Sequence, residues 1–417
     1  MTSVPVVELE AGPIAAGGGC VARADDGRVV FVRHCLPGER VRAVITEETK
    51  SYLRADAVEI THSSPDRVPP PCPYAGPGRC GGCDWQHVAV EAQRSLKASL
   101  VAEQLRRLAG IERVIEVEEV PGAPDGLGWR TRVRFGIDDA GRVGLHRHRS
   151  HELEPVDHYL IASAAVEAIG VESHLWPDVD DLEVFASDES GESVLSLTSR
   201  SRRLRGLPSL DTGLVVNGRV ARGPERLVFR VLQRRYEVSS GVFWQVHPGA
   251  ANALARAVLD GLDAQPGDRV ADLFAGAGLF AGLVGDVVGA TGSVLAVERD
   301  RWACADAARN TSDQPHVEVL KAAVTPALVS ERLGGVDLIV LDPSREGAGR
   351  PVMTSLVALQ PGPRRVVYVA CDPASFARDL RVVIDSGWAL RSLRAFDLFP
   401  MTEHIEIAAV VEPPQTG

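Results

Sequence analysis

The apolar positions change period several times along the chain. Between residues 20 and 60, Val21-Ala22-Arg23-Ala24, Val29-Val30-Phe31-Val32, Val41-Arg42-Ala43-Val44-Ile45 and Ala55-Asp56-Ala57-Val58-Glu59-Ile60 are short apolar or alternating runs. Asp25-Asp26-Gly27-Arg28 and Leu36-Pro37-Gly38-Glu39-Arg40 separate them, and such Asp-Gly and Pro-Gly steps mark turns. Short strands at this spacing predict a small closed barrel of the oligonucleotide-binding type. Over 87–109 the period becomes helical: Leu96, Leu100, Val101, Leu105 and Leu108 make a stripe, and Gly110 is a natural stop. That helix reads as a connector without chemistry. Residues 126–235 mix strands and helices. Beyond Gly267, β-branched runs alternate with helical stretches, the order of a largely parallel sheet covered by helices. The prediction is a multidomain α/β chain: a β-barrel at 1–62, a cysteine-rich loop and connector helix at 63–125, an α+β domain at 126–235 and a Rossmann-like domain at 236–417.

Composition narrows the classes. Of 417 residues, 45% are hydrophobic, enough for several cores, yet no run of eighteen apolar residues suggests a membrane span. The first ten residues carry Glu8 and Glu10 and no basic cluster, unlike a signal peptide, so a cytoplasmic protein without a membrane partner is expected. A net charge of −11 argues against a protein that coats nucleic acid, while leaving room for a local basic groove. Trp129-Arg130-Thr131-Arg132-Val133-Arg134-Phe135 offers one: on a strand, Arg130, Arg132 and Arg134 share a face, and RNA phosphate is the anion that would relieve their repulsion. A solvated face balanced by Asp138, Asp139, Glu152 and Glu154 is the alternative. Ser199-Arg200-Ser201-Arg202-Arg203-Leu204-Arg205 reads as a mobile loop able to touch nucleic acid.

The seven cysteines divide into a cluster and four scattered residues. Cys72, Cys80 and Cys83 lie in a Gly/Pro loop too poor in apolar residues to pack alone. Their C-x-x-C suits zinc or an iron–sulfur cluster. The fourth ligand is open among His87, Cys20 and Cys35, and a loop of free thiols is the other reading.

The C-terminal part carries the chemistry. Gly267-Asp268-Arg269-Val270-Ala271-Asp272-Leu273-Phe274-Ala275-Gly276-Ala277-Gly278 is a strand and a glycine turn, and a helix follows. Glycines there allow close approach of a nucleotide-like ligand. Glu298 ends the next strand, placed to accept bonds from ribose hydroxyls. The dinucleotide fingerprint is present only in loose form, with Ala281 in its last position, and S-adenosylmethionine fits better. The next strand ends in Leu341-Asp342-Pro343-Ser344, at the same sheet edge. Cys371 follows Val366-Val367-Tyr368-Val369-Ala370, before an N-cap Asp372 and Pro373. A thiol at a helix N-terminus has its thiolate favoured by the dipole, although a buried packing thiol is the common fate of free cysteine.

Five motifs in order give a specific resemblance: Phe243-Trp244-Gln245-Val246, Asp272-Leu273-Phe274-Ala275-Gly276-Ala277-Gly278, Leu341-Asp342-Pro343-Ser344-Arg345-Glu346-Gly347, Val369-Ala370-Cys371-Asp372-Pro373-Ala374 and Phe399-Pro400-Met401-Thr402-Glu403-His404-Ile405-Glu406. The chain resembles the RNA 5-methyluridine (uracil-5) methyltransferases over nearly its whole length, and its barrel resembles a TRAM domain, an RNA-binding barrel. The resemblance implies a class I fold using S-adenosylmethionine. It implies Cys371 as nucleophile and Glu406 as the base that removes the carbon-5 proton. It implies cofactor contacts from Gln245, Asp272, Phe274, Gly276, Gly278, Glu298 and Asp342. The barrel-bearing, cysteine-bearing branch acts on ribosomal RNA, so an rRNA substrate is expected over tRNA, and a monomer. A non-catalytic RNA-binding protein of the same fold is the alternative, against which the retention of Cys371 and Glu406 argues. An amino-group methyltransferase would want an Asn/Asp-Pro-Pro-aromatic tetrad, absent from Asp342-Pro343-Ser344-Arg345.

The chain departs from the family pattern at three places. Asp372 stands where Asn is usual. Ala322 and Ala323 stand where an acid commonly follows the third strand. Tyr159, in Val156-Asp157-His158-Tyr159-Leu160, stands where the fourth cluster cysteine is usual, which leaves His158 as a substitute ligand or the loop metal-free.

Overall fold

The computed structural model describes residues 6–199 and 206–414. The basic stretch 200–205, expected to form a nucleic-acid loop, lies outside them.

At the N-terminus, strands Val6–Glu10, Cys20–Arg23, Val29–Arg33, Arg40–Glu48 and Tyr52–His62 form one sheet. The sheet curls until Gly12 N–H donates to the Val21 carbonyl at 2.8 Å, closing the barrel. Alternation along the strands puts Val30, Val32, Val41, Ala43 and Ala55 inside. The Cys20 and Cys35 thiols donate to the Cys35 and Val32 carbonyls in this same core, so neither reaches the cysteine loop.

The connector helix spans Val90–Gln104 and continues as a π-turn, Leu105–Ala109, ended by left-handed Gly110. Its Leu100, Val101 and Leu105 are buried as the stripe predicts. Gln93 and Lys97 are also fully buried, which an apolar stripe does not anticipate. The central part is a sheet of strands Arg132–Ile137, Val143–His146, Leu153–Pro155, Asp181–Ala186, Ser193–Thr198, Gly213–Val216 and Arg219–Arg222. A separate hairpin, Arg226–Val231 with Arg234–Ser239, leads into the helix Ala250–Leu262.

The C-terminal sheet has parallel strands Val317–Lys321, Ser293–Glu298, Arg269–Leu273, Leu338–Leu341 and Arg365–Ala370 side by side in that order. Antiparallel Glu406–Glu412 follows, then Ala389–Asp397. Val117–Glu119, from the connector, completes the edge parallel to Ala389–Asp397. Leu338, Ile339, Val340 and Leu341 are fully buried, as a strand covered on both faces requires. Among the described residues no helix is long and apolar enough to cross a membrane.

Candidate active site

The strand order brings four acids and one thiol to a single sheet edge. Asp272 and Glu298 lie at the carboxyl ends of adjacent strands, Asp342 just past the end of a third and Cys371 just past a fourth. Ala370 pairs with Ile407 across the antiparallel step, so Cys371 stands opposite Glu406, the first residue of its strand. Carboxyl ends of parallel strands are where open α/β sheets bind ligands.

Backbone geometry fixes the glycine turn. Phe274, Gly276 and Gly278 take left-handed φ of 64°, 53° and 84°. A side chain at Gly278 would press within 3.1 Å of Ala307, whereas one at Gly276 would meet nothing within 4 Å, so the turn is packed behind and open in front. Glu298 is held by the turn: its Oε2 accepts from Gly276 N–H at 3.0 Å and its Oε1 from Asp300 N–H at 2.7 Å. Asp272 is 1% exposed, and its Oδ2 accepts from Ala281 N–H at 2.8 Å in the first turn of the next helix. Its Oδ1 is buried without a partner. Burial pushes this carboxyl up to about 8, with Asp342 and Glu298 adding to the rise. Asp342 is pushed up to about 7 by burial.

Cys371 is half-buried at the mouth of the helix Pro373–Asp385. Asp372 caps that helix, its carboxylate accepting from Ser375 N–H at 2.7 Å. The expectation that the dipole favours the thiolate is corrected: burial first, then Glu406 and Asp342, push the thiol up to about 12. A thiol beside buried acids keeps its proton, and one helix terminus does not offset that. Glu406, 2% exposed, is raised well above the usual carboxylate range by burial and by Asp342.

Arg345 opposes both shifts, favouring the thiolate of Cys371 and the carboxylate of Glu406. It lies 3.2 Å from His404 Nε2, and burial lowers that imidazole to about 4, leaving it neutral. The loop behind Arg345 is pinned by Asp379, which accepts from Ala348 and Gly349 N–H at 2.8 and 3.1 Å and from the Tyr368 hydroxyl at 2.7 Å. Arg345 is legible in the sequence only as part of a motif; its charge matters because it faces a thiol and acids that are distant in sequence. Gln245 is buried and lines a small cleft with Thr131, Trp244 and Asn252.

The basic face predicted on Arg130, Arg132 and Arg134 is corrected at its centre. Arg132 donates to the Val242 carbonyl at 2.6 Å and to the Ser240 carbonyl, pairs with Glu183 at 3.4 Å and stacks 3.9 Å over Phe185. Its guanidinium is held inside the protein. Arg134 is exposed and paired with Asp181 at 3.0 Å, and half-buried Arg130 donates to the Arg132 carbonyl at 3.1 Å.

The iron–sulfur cluster considered for Cys72, Cys80 and Cys83 does not fit. Tyr159 fills the nest: its hydroxyl lies 2.8 Å from where a side chain on Gly82, within the C-x-x-C, would begin. His158 turns instead to the ring of Tyr74, at 5.8 Å between centroids. Among the described residues no three His, Cys, Asp or Glu side chains are arranged to hold a metal. The loop is fastened by other means. Arg79 pairs with Glu154 at 2.8 Å, the Tyr74 hydroxyl donates to Asp157 at 3.2 Å, and Trp85 is buried in the barrel core.

Comparison with known proteins agrees with this architecture. The TRAM domain family matches residues 11–58. An uncharacterized RNA methyltransferase of Streptomyces coelicolor is 47% identical over 98% of this chain and 93% of its own. The 23S rRNA (uracil(1939)-C(5))-methyltransferase of Alkalilimnicola ehrlichii is 34% identical over 93% of this chain and 92% of its own. The crystal structure of Pyrococcus abyssi tRNA (uracil-54, C5)-methyltransferase with S-adenosyl-L-homocysteine shares the fold, with a TM-score of 0.71, 20% identity, and coverage of 97% of this chain and 100% of that one. A TRAM barrel, a class I sheet and near-full-length relatives together place the chain in the RNA (uracil-5) methyltransferase family.

Proposed function

We propose that the protein transfers a methyl group from S-adenosylmethionine to carbon 5 of a uridine in ribosomal RNA, with Cys371 as nucleophile and Glu406 as base. The observation that carries the reading is the pairing of the two strands, which sets a thiol opposite a buried carboxylate at the ligand edge of the sheet. The ribosomal substrate is supported by the relative named as a 23S rRNA enzyme.

The residues present suit the methyl donor. The open front of the glycine turn, Glu298 fixed by two amides and the partnerless Oδ1 of Asp272 form a cradle short of hydrogen-bond donors and positive charge. Asp272, Phe274, Gly276, Gly278, Glu298 and Asp342 would hold a ligand bearing hydroxyls and cationic groups, and Gln245 joins them by motif alone. S-adenosylmethionine, when bound, supplies an electrophilic methyl on a positive sulfonium.

The target uridine leaves its stack to reach the edge. The Cys371 thiol gives up its proton to solvent water, and Arg345 supports the resulting thiolate. Sulfur bonds to carbon 6, and the carbon 5–carbon 6 electron pair moves into an enolate, making carbon 5 nucleophilic. After carbon 5 has gained the methyl it still carries its hydrogen. Glu406 removes that proton, the double bond reforms, and sulfur leaves with the electron pair of the carbon 6–sulfur bond. General-base help of this kind is worth roughly 10²–10⁴-fold. Cys371→Ala is expected to abolish methyl transfer, and Glu406→Ala to accumulate an RNA–protein adduct on denaturing gels. Normal uracil methylation by Cys371→Ala would refute the mechanism. Unchanged 5-methyluridine in the rRNA of a deletion strain would refute the substrate.

A further inference from the structure

The 398–405 loop leads from the strand Ala389–Asp397 to Glu406, and three buried residues, Trp85, Gln93 and Lys97, grip it. Lys97, fully buried on the connector helix, pairs with Asp397 at 2.5 Å and donates to the Phe399 carbonyl at 3.0 Å. Gln93, one turn earlier and also fully buried, accepts from Met401 N–H at 2.7 Å through its Oε1. Its Nε2 donates to the Val88 carbonyl at 2.9 Å and the Trp85 carbonyl at 3.3 Å. Trp85 N–H donates to the Met401 carbonyl at 3.0 Å, and its indole N–H to the Gly18 carbonyl of the barrel at 2.9 Å. Met401, gripped on both backbone polar groups, takes a left-handed φ of 64°. Asp397 follows directly after Phe396, the residue paired with Glu406.

A buried ion pair is a poor source of stability. Apolar side chains of similar volume often do as well or better, because both charges lose their water. What Lys97 does provide is direction: one ammonium fixes a carboxylate and a carbonyl on either side of the turn into the loop. Gln93 fixes the loop's middle and ties it to Trp85. We propose that Lys97 and Gln93 are positioning residues for Glu406. They hold the 398–405 loop so that the carboxylate meets the carbon-5 hydrogen, and through Trp85 they make that alignment depend on the seated barrel. The barrel then serves the proton-removal step as well as RNA binding. The proposal rests on Glu406 as the base.

The two roles separate in the adduct. Cys371 lies between a different strand, Arg365–Ala370, and the helix Pro373–Asp385, so loss of the clamp should leave sulfur addition intact and slow release. The test uses the full chain with in vitro transcribed large-subunit rRNA. Lys97→Met alone strands a buried Asp397 charge and risks misfolding, so Lys97→Met/Asp397→Asn is compared with Gln93→Leu. RNA containing 5-fluorouridine counts competent sites, because its carbon 5 has no proton for the base to remove and the adduct persists. The expected result is unchanged rate and stoichiometry of this trap, turnover on ordinary RNA down about tenfold or more, within the range a general base supplies, and accumulation of adduct on ordinary RNA. Unchanged turnover would overturn the proposal. So would trap and turnover falling by the same factor, the mark of a general structural loss. Glu406→Ala runs alongside: if it builds up no adduct, the base assignment fails and the clamp's role fails with it, whereas adduct in Glu406→Ala but not in the clamp variants counts against the clamp alone.

Discussion

Replacing Asp272 by Asn should stabilise the ligand-free protein above neutral pH. Asp272 is buried at the glycine turn with one oxygen bonded to Ala281 N–H and the other without a partner. Burial, then the fields of Asp342 and Glu298, raise its carboxyl from 3.8 to about 8, against the pull of the Ala281 bond. The sign follows from proton counting. Between these two values the folded protein keeps a proton that the unfolded chain has lost, so stability falls as pH rises through the window and levels off above about 8. A tenfold change in proton affinity is worth about 1.4 kcal/mol, so raising the pH from 5 to 8 should remove on the order of 2–4 kcal/mol through this group. Asn is isosteric, still accepts from Ala281 N–H and does not titrate. The measurement is urea unfolding of wild type and Asp272→Asn at each pH, followed by amide exchange in the strand Arg269–Leu273. The difference between the two proteins isolates Asp272 from the other titrating groups, including His247 and His404, whose depressed values act in the opposite direction at lower pH. The gain from Asn should be near zero at pH 5 and largest at pH 8. A gain independent of pH, or a loss at pH 8, would refute the assignment of a protonated Asp272.

Other consequences follow from the same structure. The purified protein should contain no stoichiometric iron or acid-labile sulfide, and Tyr159→Cys should acquire both on anaerobic reconstitution; a cluster spectrum in the unaltered protein would reverse the reading of the cysteine nest. Arg132→Ala should lower stability by about 2–3 kcal/mol, because it strands the Ser240 and Val242 carbonyls. Arg134→Ala should stay within about 0.5 kcal/mol. Equal effects of these two on the salt dependence of RNA binding would show that Arg132 does reach phosphate. Arg345→Gln should slow adduct formation and move the rising limb of its pH–rate profile to higher pH, since losing the guanidinium raises the Cys371 thiol further; a profile unchanged in position would remove Arg345 from the site.

Local chemistry is readable in the sequence where local chemistry decides the structure. The Asp-Gly and Pro-Gly turns of the barrel, the glycine turn after Leu273 and the Asp372 cap all occur where turn and cap residues place them. The parallel strands are legible because strands buried on both faces become continuous apolar runs. Val117–Glu119 is not, since three residues at a sheet edge carry no period of their own. Arg132 misleads because alternation assigns a side chain to a face but does not say what covers that face; here the 240–242 backbone does. Lys97 is invisible for the converse reason, as its partner lies three hundred residues away. The thiol of Cys371 is misjudged from sequence because the helix terminus is local, whereas Glu406 and Asp342 are brought beside it by strand order.

The raised thiol bears on the chemistry. Asp272, Asp342 and Glu406 all have raised carboxyl values, and the same surroundings hold the proton on Cys371. Burial is the leading cause for each group, and Arg345 is the cation that works against the rise at Cys371 and Glu406. A positively charged ligand entering this edge changes the balance for every group at once. Such a charge would favour the ionised form of each of these groups, Cys371 included. A low-pKa cysteine would be open to oxidation in the empty enzyme, because the thiolate is the reactive form. With its thiol raised, Cys371 is expected to react slowly with oxidants in the ligand-free protein, and rapid sulfenylation at neutral pH would refute that.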